Sequence, residues 1–339
     1  MTVVAYRPDV AAFETHLLPL LRRFYPDLGN DAFFRHGYEA AFRYCLHNEH
    51  VELLPLALRR AGDLAGHVAL IRDDRLGSGE AFFGFLEVVN DTAAFDDLWR
   101  ALKGVARAKG IRRLKGPVNG SIWHQYRCVK ESSPTPRFRT EPRTPLHHYR
   151  LLKGAGPSKE IAYSSGVRHS YARMLALMES KADEIARDMR SYDVELSVER
   201  AVSARTLREI VSTSDQVFGG RSWGYTPLSS EEFLDLYRGM AGSRYFHRAF
   251  LLRRAGRLIG YAITLRDGRN MICKTICLLP SYQNRGLGNA LALHLHLVAR
   301  QDGMSSIMYV LVRDDNRIRD FPMEDIEIFR RYAAFDYDI

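Results

Sequence analysis

The residues best suited to chemistry are Gln283-Asn284-Arg285-Gly286-Leu287-Gly288-Asn289. An apolar segment, Met271–Leu279, stops at Pro280 just before them, and an apolar helical pattern follows from Gly286. Gly286 and Gly288 carry no Cβ, so a ligand can approach the backbone closely there. Loop N–H groups and the start of a helix point to one spot and favour an anion. Arg285 adds a full positive charge. Together these features describe a seat for a pyrophosphate. The stretch lacks the G-x-x-x-x-G-K-[ST] pattern of nucleoside triphosphatases. It also has one glycine too few, and no acidic ribose partner, for the dinucleotide fingerprint.

Other reactive side chains point to packing. Cys273 and Cys277 lie four apart on an expected strand, hence on one face, and no further ligand has metal-site spacing. His294 and His296 stand at i and i+2 of a helix and do not share a face. His147-His148 reads as loop surface. No metal is expected.

The elements that must position the loop occur twice. Leu58–Asp74 (LRRAGDLAGHVALIRDD) and Leu252–Gly268 (LRRAGRLIGYAITLRDG) agree at nine of 17 positions at an offset of 194. Ala106-Arg107 and Gly110 meet Ala299-Arg300 and Gly303 at an offset of 193. Two nearly collinear matches at this spacing argue for duplication of a whole domain, not a solenoid. Each copy reads as a hairpin, a buried strand (Ala81–Val89 or Met271–Leu279), a helix (Ala93–Ala108 or Gly286–Gln301) and a further strand (Arg112–Val118 or Ser306–Val312). Amphipathic helices such as Phe13–Phe24 and Ala204–Val217 precede the hairpins, and Val194–Ala201 opens the second copy as a strand. The fold class is therefore α/β, mixed α+β. The expected domains are residues 1–165 and 193–339, joined by a helical connector at 166–192. Under the offset of 193, Gln283–Gly288 falls on Asn90-Asp91-Thr92-Ala93-Ala94-Phe95, with no glycine and no base. Asp91 would repel phosphate and reads as a helix cap.

Composition sets the outer bounds. The chain has 339 residues, 46% hydrophobic and 26% charged, as in ordinary globular domains. No apolar run approaches the ~20 residues of a membrane span. Four cysteines are too few for a disulfide scaffold, so reduced thiols in a cytoplasm are expected. The net charge of +9 comes from basic residues spread along the chain. It fits an Arg-rich proteome or attraction of a polyanion such as a cofactor phosphate, an acyl-carrier protein or tRNA.

The second copy resembles the GNAT N-acetyltransferase superfamily. Gln283, Gly286 and Gly288 match its Q/R-x-x-G-x-G/A hallmark, and Leu278 and Pro280 look like its V-x-P. Gly303 and Asn316 also fall where the family has such residues, and the resemblance covers about Val194–Phe335. It implies two tandem GNAT-like domains, each a mixed, mostly antiparallel sheet flanked by helices, the first degenerate and without a pyrophosphate loop. It also implies that Ile276 and Leu278 offer main-chain bonds to a pantetheine arm and that Gln283–Asn289, with Asn316, serve the coenzyme A end. Tyr332, within Ile328–Phe335, falls near the tyrosine that relatives carry on a last helix as general acid, off the usual register. Trp223 and Tyr225, in Ser222–Pro227, look like one wall of an acceptor pocket, which the first half would help to shape. The expected central strand carries no carboxylate base but Lys274; Glu231, Glu232, Asp235, His247, Asp314 and Asp315 are the alternatives. A strand near Glu160–Ser164 could complete the second sheet.

The expectation is thus a cytoplasmic acyl-CoA-dependent N-acyltransferase, with acetyl-CoA or another acyl-CoA as donor and a small-molecule amine as acceptor. It needs no metal and no membrane. Aminoacyl-tRNA- or acyl-carrier-protein-dependent transfer on the same fold, and coenzyme A binding without turnover, are the alternatives. Nucleic acid enters only through tRNA in the first of these.

Overall fold

The computed structural model describes residues 1–27, 32–138, 140–220, 222–241, 243–316 and 324–339. The chain opens with β1 (Thr2–Ala5) and α1 (Val10–Ala12), which runs through a π-helical stretch at Phe13–Leu17 into α2 (Leu18–Phe24). Then come α3 (Ala32–His47), β2 (Val51–Arg60), β3 (Asp63–Asp73), β4 (Glu80–Val88), α4 (Thr92–Ala108), β5 (Arg113–Gly116), β6 (Cys128–Ser132), α5 (Leu146–Gly154) and β7 (Lys159–Arg168). The rest is α6 (Ala172–Ser180), α7 (Ala182–Ser191), β8 (Val194–Glu199), α8 (Ala204–Phe218), α9 (Ser230–Ala241), β9 (Phe246–Arg254), β10 (Arg257–Asp267), β11 (Asn270–Leu278), α10 (Leu287–Gln301), β12 (Ser306–Arg313) and β13 (Glu327–Asp338). Two compact units result: Met1–Tyr163 with Trp223–Thr226 and Arg330–Ile339, and Ser164–Ser222 with Pro227–Phe329.

The two units share a plan. In the first, β2, β3 and β4 are antiparallel neighbours and β4 runs parallel to β5. In the second, β9, β10 and β11 are antiparallel neighbours and β11 runs parallel to β12. Both hairpins turn on an Ala-Gly pair with positive φ, Ala61-Gly62 and Ala255-Gly256. That is the two-residue turn whose twist matches the strands. Helix α4 lays Phe95, Leu98, Trp99, Leu102 and Ala106 on the first sheet. Helix α10 lays Leu287, Leu291, Leu295, Val298 and Ala299 on the second. Each large apolar side chain among these, fully buried, contributes about 1.5–3 kcal/mol.

Three expectations are corrected. The closing stretch is strand β13, not a helix. Its residues Ala333–Tyr337 are buried without interruption, as in a strand covered on both faces, and its aromatics suit a sheet. Within the first unit β13 pairs with β5 and β6. His147 and His148 lie in helix α5, not on a loop: His147 Nε2 is 2.7 Å from the Val88 carbonyl, and His148 is buried. Burial holds His148 neutral, with its pKa pushed down to about 3. Thirdly, Cys273 and Cys277 do not share a face. A register shift gives β11 one extra residue at Lys274, and a one-residue bulge reverses the alternation beyond it. Cys273 joins the core under α10, whereas Cys277 pairs across to Tyr261. Both thiols are free and buried, pushed up to about 12 by desolvation, and therefore inert. The residues of β7 from Ser164 onward lie in the second unit, beside β12.

Candidate functional site

The site of the second unit is built from a split strand and the helix that follows it. Strand β11 pairs with β12 only from Asn270↔Ser306 to Cys273↔Tyr309. The bulge at Lys274 re-aims β11 where that pairing ends. Strand β12 turns away too: Leu311 has φ 57°, and its N–H donates to Ser165 Oγ on β7 at 2.9 Å. Leu279 N–H donates to Ile259 O on the β10 side. Alternation then directs the main-chain groups of Ile276 and Leu278 to the opposite side, toward the gap.

A pocket lies at that gap, enclosing about 690 Å³ of empty space with the open solvent at its mouth included. Gly288, Ala292, Leu295 and His296 line it along one face of α10, with Cys273 and Ile276 from β11 and Tyr309 and Val312 from β12. Its polar walls are tied to one another. Tyr309 OH lies 3.1 Å from His296 Nε2, and His296 Nδ1 lies 2.7 Å from the Ala292 carbonyl. Burial pushes His296 down to about 4, so the ring is neutral. The Ala292 carbonyl accepts from Nδ1–H, and Nε2 accepts from Tyr309. Burial raises Tyr309 above its ordinary value, which keeps its proton in place. Arg168 at the far end donates to Asp325 at 2.9 Å.

The loop sits at the mouth. Asn284 and Gly286 take left-handed φ of 60° and 73°, and Gly286 is the N-cap of α10 without a capping side chain. Gln283 Nε2 donates to the Leu278 carbonyl at 2.9 Å and ties the loop back to the strand end. Leu287 is buried and anchors the turn. Asn289 N–H donates to Gly286 O at 2.9 Å. A Cβ on Gly288 would meet nothing within 4 Å, so the helix start is open at this point. The Arg285 guanidinium lies 4.9 Å from the centre of the Tyr192 ring and 5.8 Å from that of Tyr282.

Other candidates lie elsewhere. Tyr332 is fully buried in the first unit, where its hydroxyl donates to Glu141 at 2.9 Å. Trp223 and Tyr225 also belong to the first unit; Trp223 Nε1 donates to Asp336 at 2.7 Å, and Tyr225 meets the Trp123 ring edge-on. Asn316 is exposed at the end of β12, its N–H on Arg313 O. Glu232 closes a capping box with Ser229, and Glu231 and Asp235 lie exposed on α9. His247 is held between Thr264 and Asp302, Asp314 accepts from Ser164, and Asp315 pairs with Arg313. Among the described residues no group of three or more His, Cys, Asp or Glu could hold a metal, and no helix is long and apolar enough to cross a membrane.

A split parallel strand, a glycine turn and an open helix start, in this order, are the donor-site arrangement expected of the resemblance. A family model described as "Acetyltransferase (GNAT) family" matches residues 211–319. Residues 211–319 form a GNAT-family domain. The fold of the whole chain agrees. A solved "Tandem GNAT protein from the clavulanic acid biosynthesis pathway" is similar over 99% of this chain and 98% of its own, at 14% identity and a TM-score of 0.55. A GCN5-related N-acetyltransferase from Anabaena variabilis is similar over 99% of this chain and 72% of its own, at 11% identity and a TM-score of 0.56. No curated protein matches the chain. The chain therefore has the tandem GNAT fold.

Spacing along the sequence did not single out Tyr309 or Arg168, and it weighed His296 only as a metal ligand. Tyr309 and His296 are 13 residues apart on a helix and a strand, a separation without a local period. Their one available signal was Tyr309 itself, a polar residue within an apolar strand directly after the loop helix.

Proposed function

We propose that the GNAT domain binds an acyl-coenzyme A, acetyl-coenzyme A first among them, and transfers the acyl group to the amine of a small molecule in the cytoplasm. The observation that carries this reading is the cavity that runs from Gly288 into the gap between β11 and β12. Loop Gln283–Asn289 would hold the diphosphate, on the open face at Gly288. The pantetheine arm would add as a strand against Ile276 and the Leu278 N–H, since the Leu278 carbonyl already accepts from Gln283. The amine attacks the thioester carbon, and main-chain N–H groups at the gap stabilise the oxyanion. Collapse breaks the C–S bond, and the thiolate needs a proton. Tyr309 is the donor proposed for it: its O–H turns from His296 Nε2 to the thiolate, and its oxygen takes back the proton that the attacking nitrogen sheds. An acceptor that arrives as a free amine needs no strong base on the strand, which fits a β11 that carries Lys274 and no carboxylate.

Calorimetric titration with coenzyme A and acetyl-coenzyme A, paired with an acetyl-transfer assay, tests this. The wild type should take up one equivalent per chain. Gly288→Leu places a side chain in the open space, at a helical position with ordinary φ, and should weaken donor binding at least about 100-fold with no fall in melting temperature. Tyr309→Phe should bind the donor normally and turn over about 100-fold more slowly. Full donor affinity in Gly288→Leu would refute the loop assignment.

A further inference from the structure

The pyrophosphate loop is already in contact with an anion of the protein's own. A Cβ built on Gly286 would stand 1.9 Å from Asp188 Oδ2 and 2.9 Å from its Cγ. The Asp188 carboxylate therefore presses on the left-handed residue that opens α10, where the helix dipole and loop amides favour negative charge. Tyr192, four residues further along and on the same face, lies under the Arg285 guanidinium. Two positions of one segment thus engage the two loop residues that the donor's phosphates would need. Helix α7 itself is pinned: Ile185 is buried in the core of this unit, and Met189 packs against it.

We infer that Asp188 is an internal anion that competes with the donor's diphosphate and sets how tightly the donor binds. The inference rests on the donor reading above. When the diphosphate arrives, like charge drives the Asp188 side chain off the loop while Ile185 keeps α7 in place. Arg285 leaves the Tyr192 ring for the phosphate. No covalent step is involved. The consequence is an affinity lowered at its diphosphate end, so that spent coenzyme A leaves more readily than the loop alone would allow. Asp188 acts on binding and is a specificity residue, since it discriminates between donors by their phosphates.

The test compares two donors on three proteins. Acetyl-coenzyme A carries the diphosphate; acetyl-pantetheine has the same reacting end without it. Asp188→Asn removes the charge and keeps the size of the side chain. Asp188→Ser is the second variant, smaller and also uncharged. Calorimetry should show acetyl-coenzyme A binding about tenfold tighter in both variants, the size expected for one partly screened charge. Acetyl-pantetheine should bind all three proteins equally. A purely structural contact would leave the acetyl-coenzyme A affinity unchanged, and that result overturns the inference. An equal gain for both donors also overturns it, because the effect would then not pass through phosphate. If neither the wild type nor either variant binds acetyl-coenzyme A, the donor reading itself has failed and the inference falls with it.

Discussion

Strands β4 and β11 hold the same place in the two units and start alike. Each is parallel to the next strand for only a few residues: β4 pairs with β5 over Glu80–Phe82, β11 with β12 over Asn270–Cys273. Each carries a register shift against its antiparallel neighbour just beyond, near Phe85 and at Lys274. Past the shift the two strands part company. In the first unit Val118 N–H donates to Phe83 O at 2.8 Å, and Asn119 Oδ1 accepts from Phe85 N–H at 2.7 Å. The backbones are so close that a Cβ on Gly84 would stand 1.9 Å from Val118 O. The chain has filled the gap with itself. In the second unit the same divergence leaves a cavity. A split strand thus permits a cavity but does not make one; the segment after the parallel strand decides whether room remains.

The two strands also end differently. Beyond the gap, β4 buries Glu87 under Tyr25 and Tyr38, whose hydroxyls both donate to it at 3.0 Å. Desolvation pushes Glu87 from 4.5 up to about 8. An acid whose folded pKa is raised contributes stability below its unfolded pKa, and that stability is lost as pH rises toward 8. His67, His124 and His148 act in the opposite sense, being pushed by burial from 6.5 to about 4, 4 and 3. They contribute stability above pH 6.5 that is lost as pH falls. The first unit should therefore be most stable near pH 6.5. Between there and about pH 8 it should lose about 2 kcal/mol through Glu87. Urea unfolding followed across this range should show a decline in the wild type and none in Glu87→Gln. A slope retained in Glu87→Gln would break the contrast between a strand end used for a buried acid and one used for a loop.

Much of this comparison could be read from residue order, because its main signals are local. The hairpins, the helices α4 and α10, the glycine turn and the cap at Asp91 each depend on residues a few positions apart. Asp91 does accept from Ala94 N–H at 3.1 Å, as its place before an apolar helix required. The closing strand was not legible, because its partners β5 and β6 come some two hundred residues earlier and Phe329-Arg330-Arg331-Tyr332 suits a helix as well as a strand. The bulge at Lys274 escaped too: one extra residue leaves no mark in composition, yet it reverses the facing of Cys277. The plug at Asn119 was hidden for the same reason. Nothing near it in the sequence announces that its side chain completes a distant strand.

Asn119 is the next point at which to press. Its Oδ1 is the acceptor for a buried main-chain N–H, so Asn119→Ala should cost about 1–3 kcal/mol, read from urea unfolding of the first unit. Donor titration of this variant should still give one equivalent per chain, because Val118 continues to close on Phe83. A second equivalent would show that one side chain is all that separates the two units, and the contrast drawn between them would collapse.

The smallest effect is expected at the helix starts. Helix α4 begins with Asp91, whose side chain caps it, while α10 begins with Gly286 and no capping side chain. The first helix is thus closed by its own residue, whereas the second has no capping side chain of its own. Asp91→Ala removes the cap and the exposed ion pair with Arg60. The ion pair contributes little at the surface, so the loss should be that of the cap alone, a melting temperature lower by about 2 °C. Donor affinity should not change at all, since the capped helix start belongs to the unit whose gap is filled. A change in donor affinity would mean that α4 still serves a phosphate, and that capping and ligand binding are not the alternatives that the two helix starts present.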